Sequence, residues 1–225
     1  MGGRLLGMPL VVTLSASFGA GGSFIGPQVA EALELPFLDR AIPVAVADAL
    51  AVPMSDVLAH DERRASGMGR LFANLARAAS APDTAFGSAP TAARASLGDQ
   101  PEQAFREQTE RVLRQIADEQ GGVILGRAAA IVLRDRPTAL HVRLDGPPED
   151  RIRRAMGFEG LDEDQARKLL AETDRAREAY VKYFYKCDAR DASHYHLVID
   201  STALEFETCV DLIVAAARAR TATSS

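Results

Sequence analysis

Between residues 11 and 26 the chain reads VVTLSASFGAGGSFIG. This is a β-branched apolar run, a loop with glycines at 19, 21 and 22, and a segment in which Ile25, Val29 and Leu33 recur at helical spacing. Strand, glycine loop and helix in that order can cradle a phosphate. Glycines let backbone N–H groups converge on an anion, and the positive end of the following helix points at it. Set over the pattern G-x-x-x-x-G-K-[ST], residues 16–23 put Ala16 at the first glycine and Gly21 at the second. Gly22 then stands where the lysine belongs, and Ser23 at the magnesium-binding hydroxyl. The expected cradle therefore wraps its anion in main-chain amides between Phe18 and Ser23, with no ammonium group to help.

Charged residues recur where short apolar runs end. LPFLD closes on Asp39 and Arg40, VIL delivers Gly126 and Arg127, TALHVRLD ends at Asp145, and YHLVID ends at Asp200. In parallel α/β sheets ligands bind at the carboxyl ends of strands, so these residues are expected on one edge together with the glycine loop. An arginine directly after a strand can fork onto a phosphate. The alternative is ordinary turn solvation for the aspartates and a surface position for the arginine. Arg151, Arg153 and Arg154 fall in one helical stretch; Asp174, Arg175, Arg177, Tyr180, Lys182 and Lys186 fall in another, which reads either as a solvated face or as part of the site. His141, in mid-strand, reads as packed or surface-facing rather than catalytic.

The elements around these residues alternate. A first helix ends near Leu33, with Pro27 expected to tighten or kink its early turns. Residues 41–64 suggest two short helices broken at Pro53-Met54-Ser55, and residues 65–100 lose pattern as Ala, Ser, Gly and Pro accumulate. A clear helix starts at Pro101 and stops at Gly121-Gly122; helices also follow Pro147-Pro148 and fill residues 161–185, and a final amphipathic one carries Phe206, Val210, Ile213 and Val214. Five strand signals alternating with helices specify an α/β fold, a three-layer, doubly wound, five-stranded parallel sheet.

The 225 residues are 47% hydrophobic and 25% charged, enough to bury one sizeable core, so a single domain over 1–225 is expected. Within it an inserted lobe is expected over 39–100. A net charge of -5 and a pI near 5.4 argue against a broad nucleic-acid surface. Two cysteines, Cys187 and Cys209, are too few for a disulfide framework, and no apolar stretch approaches membrane-spanning length. The expectation is a cytoplasmic, unanchored protein without membrane or nucleic-acid partners; nothing in the chain fixes an oligomeric state.

From about Leu10 to Arg218, apart from residues 65–100, the chain resembles the cytidylate kinases, and more closely the divergent cytidylate kinase-like group within the P-loop nucleoside monophosphate kinases. The resemblance rests on FGAGGSFIG, LPFLDR, VILGRAA, RIRR, DRAREAY and the closing HLVIDSTALEFETCVDLI. It implies transfer of the γ-phosphoryl of ATP, with Mg2+, to an acceptor such as CMP or dCMP. On that basis Ser17, Phe18, Gly19, Ala20, Gly21, Gly22, Ser23 and Phe24 would bind the donor, with Ser23 on the metal. Arg127 would grip the acceptor phosphate, with Arg153 on the same side; Arg175 and Arg177 would lie across the transferring group, and Asp39 and Asp174 would orient acceptor or lid. The resemblance also makes the 39–100 lobe acceptor-binding and 151–190 an arginine helix and lid. The divergent group's loop itself has glycine in place of the usual lysine, as at Gly22, and the chain has Leu125 and Ala128 where cytidylate kinases carry acidic residues. A non-catalytic phosphate-binding module and a kinase for a non-nucleotide acceptor are the rival readings.

Overall fold

The computed structural model describes the backbone of residues 8–39 and 101–223, with side chains over 8–39 and 106–220. The helices expected in 41–64 and the patternless stretch 65–100 lie outside the described residues. The chain divides into two compact units, Met1–Asp39 with Leu113–Ser225, and Arg40–Val112. Within the second, Arg106 reaches Glu110 one helical turn on, at 3.8 Å. The first unit holds the sheet.

In chain order the elements are β1 (Val11–Ala16), α1 (Gly22–Ala32), β2 (Phe37–Leu38), α2 (Pro101–Glu119), β3 (Gly122–Leu125), α3 (Ala129–Val132) and β4 (Ala139–Asp145). There follow α4 (Pro148–Glu159), α5 (Glu163–Tyr185), a 3-10 turn at Ala192–His194, β5 (Leu197–Asp200) and α6 (Phe206–Thr223). The strands lie in the order β2-β3-β1-β4-β5, every pairing parallel. Successive side chains of a strand point to opposite faces, yet Val11, Val12, Thr13 and Leu14 are all buried, as are Ala139 through Leu144. Both faces of the central strands are therefore covered, and the five-stranded doubly wound sheet is the expected one.

On one side α1 and α6 pack together against the sheet, with Ile25, Val29, Ile213, Val214 and Ala217 meeting Leu14, Val142 and Leu144. Each of the fully buried Ile, Leu and Val side chains contributes about 1.5–3 kcal/mol. Pro27 stays within α1. The helix ends where the Leu35 N–H donates to Ala30 O and the Glu34 N–H to Glu31 O, a closure that needs a left-handed residue; Glu34 supplies it at φ 55. At the other end of the sheet α5 begins with a capping box, Asp162 accepting from the Gln165 N–H at 2.8 Å while the Gln165 side chain accepts from the Asp162 N–H.

Register decides what shares an edge. Leu38 pairs with Ile124, Leu14 with Leu125, Ala16 with Leu144, and Asp145 with Asp200. The residues that leave the carboxyl ends, Asp39, Gly126 and Arg127, Ser17 onward, Gly146 and Ser201, are thereby gathered along one rim. No helix among the described residues is long and apolar enough to cross a membrane.

Candidate functional site

At the top of β1 the backbone turns on itself. The Ser17 N–H still donates to Leu144 O, and the Ala20 N–H folds back to Ser17 O, both at 3.1 Å. Gly19 and Gly21 take φ 76 and 78, the left-handed region, and a Cβ on either would strike Arg151 O or the Phe206 ring. Gly21 caps α1 with no side-chain hydrogen bond, so the Gly22 and Ser23 N–H groups have neither an intrahelical carbonyl nor a cap. Of the main-chain amides expected to wrap an anion between Phe18 and Ser23, two have partners within the chain. The Phe18 N–H donates to Asp174 Oδ1 at 2.8 Å, and that of Ala20 is spent within the loop.

Two buried arginines hold the loop. Arg151 donates from Nη1 to Phe18 O at 3.0 Å and to Asp174 Oδ2 at 2.6 Å, and from Nε to Gly146 O at 2.9 Å. Its neighbours on α4 and α5, Ile152, Ala155 and Ala166, take the Phe18 ring against them. Arg143 forks onto Asp145 Oδ2 at 2.7 and 3.1 Å, and reaches Ser17 Oγ and Ala189 O, each at 3.1 Å. Burial pushes the Asp145 carboxyl up, but the Arg143 guanidinium and the Ser17 hydroxyl outweigh it and the carboxyl ends below its ordinary value. The Ser201 hydroxyl donates to Ala20 O at 2.8 Å. Sequence reasoning did not place Arg143, Arg151 or Ser201 in the site. The available signals were Arg143 and Asp145 two apart on one strand face, and Arg151 in phase with Arg154 on one helix face.

Two further cations stand at the rim. β3 runs out through Gly126, Arg127 and Ala128 at φ 78, 58 and 51, three left-handed residues in succession. For the two that carry a Cβ this costs about 1–2 kcal/mol each. The turn puts the Arg127 side chain among Asp39, Tyr180 and Arg177. Burial lowers its pKa, Tyr180 and Asp39 pull it up, and Arg177 pulls it down again. Arg127 makes no hydrogen bond or ion pair among the described residues, and a Cβ on Gly126 would meet open space. From α5, Arg177 donates to Ala16 O at 2.6 Å. Desolvation lowers its pKa, with Asp174 and Asp39 opposing. The side chain keeps exposed surface, so the downward pull reflects crowding around an accessible group, and both arginines stay charged at neutral pH.

Not every expected residue joins them. Arg153 is exposed and pairs with Asp150 on its own helix, because the face of α4 that meets the loop is the one carrying Arg151. Arg175 is exposed on α5, out of phase with Asp174 and Arg177, and makes no hydrogen bond or ion pair among the described residues. Asp200 serves its own turn, accepting from the Thr202 N–H and hydroxyl at 3.0 and 2.6 Å. Phe24 leaves the loop for an aromatic group, its ring centroid 4.9 Å from Phe158 and 5.7 Å from Phe206. His141 is packed as expected, with Thr13 Oγ1 2.8 Å from its Nδ1.

Metal support is sparse. Ser23 is exposed at the start of α1, and among the described residues no group of three or more His, Cys, Asp or Glu is placed to hold an ion. A magnesium ion used here would have to come with the phosphates of a ligand, since the described residues offer it little beyond a hydroxyl such as that of Ser23.

Residues 11–203 match the cytidylate kinase-like family. Neighbours of the chain among solved structures include an uncharacterised protein from Eubacterium ventriosum, 17% identical with a TM-score of 0.63, covering 93% of this chain and 98% of that one. A shikimate kinase from Bacteroides thetaiotaomicron aligns at 17% identity and a TM-score of 0.46 over 92% and 95% of the two chains. A curated relative, a uronate isomerase from Corynebacterium glutamicum, is 35% identical over 109 residues, 48% of this chain and 21% of that protein, so the chain matches only a minor part of its length.

Proposed function

Because the chain belongs to the cytidylate kinase-like family, we propose that it is a phosphotransferase moving the γ-phosphoryl of ATP to a nucleoside monophosphate of the CMP or dCMP kind. One observation carries the reading: Arg127, charged, crowded and without a partner among the described residues, is held in a strained turn beside Arg177 and Asp39, on the rim that carries the glycine loop. Strain of this kind persists where the surrounding structure fixes a functional geometry.

Phosphoryl transfer asks mainly for positioning and charge neutralisation. In the proposed division of labour, the amides of Gly22 and Ser23 and the positive end of α1 receive donor phosphates. Arg127 grips the acceptor phosphate, and Asp39 orients the acceptor. Arg177 lies against the group in transit, and Asp174 with Arg151 fixes the distance between α5 and the loop. Magnesium, bound with the donor, supplies further neutralisation of the phosphate oxygens. An acceptor oxygen bonds to the γ-phosphorus as the bond to the β,γ-bridging oxygen breaks, leaving ADP.

The test is diphosphate formation from ATP, magnesium and a panel of CMP, dCMP, UMP and AMP. Turnover that falls at least a thousandfold in Arg127→Met supports the assignment, and no diphosphate from any acceptor ends it. A second reading, a binding module without turnover, draws on Leu125 and Gly22, which put apolar contact where kinases of this pattern carry charge. Calorimetry showing tight ATP or CMP binding with no product would favour it.

A further inference from the structure

Position 22 does not merely lack a lysine; it has no room for a side chain. Gly22 is buried, and a Cβ built on it would sit 2.6 Å from the Ala16 Cβ and 3.0 Å from Leu125 Cδ1. The first figure is a clash that neither partner can relieve by rotating, since both ends are fixed to backbone. Ala16 stands where the loop pattern has its first glycine, and Leu125 stands at the end of β3, the neighbour of β1. Three separate departures from the pattern are therefore one packed contact.

A glycine at 16 would leave the space that the Cβ of a residue at 22 requires; a methyl at 16 fills it. A lysine at 22 kept without a nearby acid would be a charge set against apolar surface, and an acid at 125 kept without the lysine would be the same error of opposite sign. Replacing all the members together by small and apolar groups avoids both penalties. The positive charge has meanwhile not left the neighbourhood. Arg177 comes in from α5 and donates to the carbonyl of Ala16, the same residue whose methyl closes position 22.

We propose that Ala16, Gly22 and Leu125 form a single compensated exchange that closes the lysine position, and that Arg177 supplies the displaced charge to donor phosphates from outside the loop. This rests on the phosphotransferase reading for the role of Arg177, but not for the packing. Arg177 then does from α5 what lysine does from the helix start, so the side-chain share of donor-phosphate neutralisation is delivered only when α5 lies against the loop.

The experiment has two arms on the full chain. In thermal unfolding, Gly22→Ala and Gly22→Lys lose several degrees; adding Ala16→Gly recovers most of the loss of Gly22→Ala, whereas Gly22→Lys recovers only when Leu125→Asp is added as well. If Gly22→Lys melts with the wild type, the packing half is overturned. In calorimetry with magnesium and ATP, and with inorganic triphosphate, Arg177→Met weakens binding at least tenfold. Arg177→Lys retains most of the affinity, and Ala16→Gly/Gly22→Lys in the Arg177→Met background restores it. Equal affinity in wild type and Arg177→Met overturns the charge half. A wild type that binds no triphosphate overturns the phosphotransferase reading and the role of Arg177 with it, while the melting series still decides the packing.

Discussion

The carboxylate of Asp174 ties two main-chain and side-chain partners at once, accepting from the Phe18 N–H at 2.8 Å and from Arg151 Nη1 at 2.6 Å. An anion of the chain itself thus sits on the first amide of the glycine loop, and Arg151 closes the ring by donating to Phe18 O. Arg151 is 6% exposed, so removing Asp174 takes away its short ion pair and leaves it only the longer one, to Asp145 Oδ1 at 3.7 Å. Asp174→Ala is expected to lower stability by about 3 kcal/mol, somewhat under the upper range for buried pairs because the Asp174 side chain keeps some solvent access. Asp174→Asn, which keeps an acceptor for Phe18, is expected to lose less. Urea midpoints with an unchanged slope measure both.

The close of α1 offers a change in the opposite direction. Its hydrogen bonds require a left-handed residue at position 34, and the exposed Glu34 fills it at φ 55. Glu34→Gly removes that conformational cost without touching a contact of the site. A gain of about 1 kcal/mol and a melting temperature several degrees higher are expected. A loss of stability would show that the glutamate is held there for some other reason.

Acid should weaken the fold through a buried histidine, starting above the range in which carboxylates titrate. His141 is 2% exposed, stacked on His196 at 4.9 Å between centroids, and burial, with the charges of His196 and Arg220, takes its pKa from 6.5 to about 4. The folded state thus holds the neutral ring, and between these two values the unfolded chain binds more protons. Stability is complete above 6.5 and falls as the pH drops toward 4, by roughly 3 kcal/mol for this residue. His196, also lowered by burial, acts with the same sign. Below that window the loss of the depressed Asp145 pair continues the decline. Denaturation measured from pH 7.5 to 4 checks the slope, and His141→Asn should flatten it.

The sheet could be read from the chain because its signals are local. β-branched runs bounded by glycine and proline mark strands wherever they lie, and β1, β3, β4 and β5 fall where those runs are. The glycine loop was legible for a similar reason, since three closely spaced glycines announce left-handed backbone. What holds that loop was not. Arg143 and Ser17 are 126 positions apart and Arg151 and Phe18 are 133, and nothing local links either pair. The choice between Arg151 and Arg153 depends on how α4 is rotated about its axis against the loop. That rotation is set by Phe18, Ile152, Ala155 and Ala166 meeting, which is a tertiary event. The shared cause of Ala16, Gly22 and Leu125 is invisible for the same reason.

Arg127 gives the sharpest test of whether the rim is a binding site or a structural feature. A structural arginine would be expected to have carboxylates or carbonyls on its guanidinium, as Arg143 and Arg151 do, and its loss would cost stability. Arg127 has none among the described residues, its pKa is lowered chiefly by burial, and its backbone is strained. Desolvation of this cation outweighs its attraction to Tyr180 and Asp39, so Arg127→Met is expected to leave the melting temperature unchanged or to raise it by a few degrees. The same variant should lose turnover by at least a thousandfold and acceptor affinity with it, since the phosphate it would bind then loses its forked cationic partner. The two readouts must move apart. Parallel loss of stability and activity would mark Arg127 as part of the scaffold, and unchanged activity would remove it from the site.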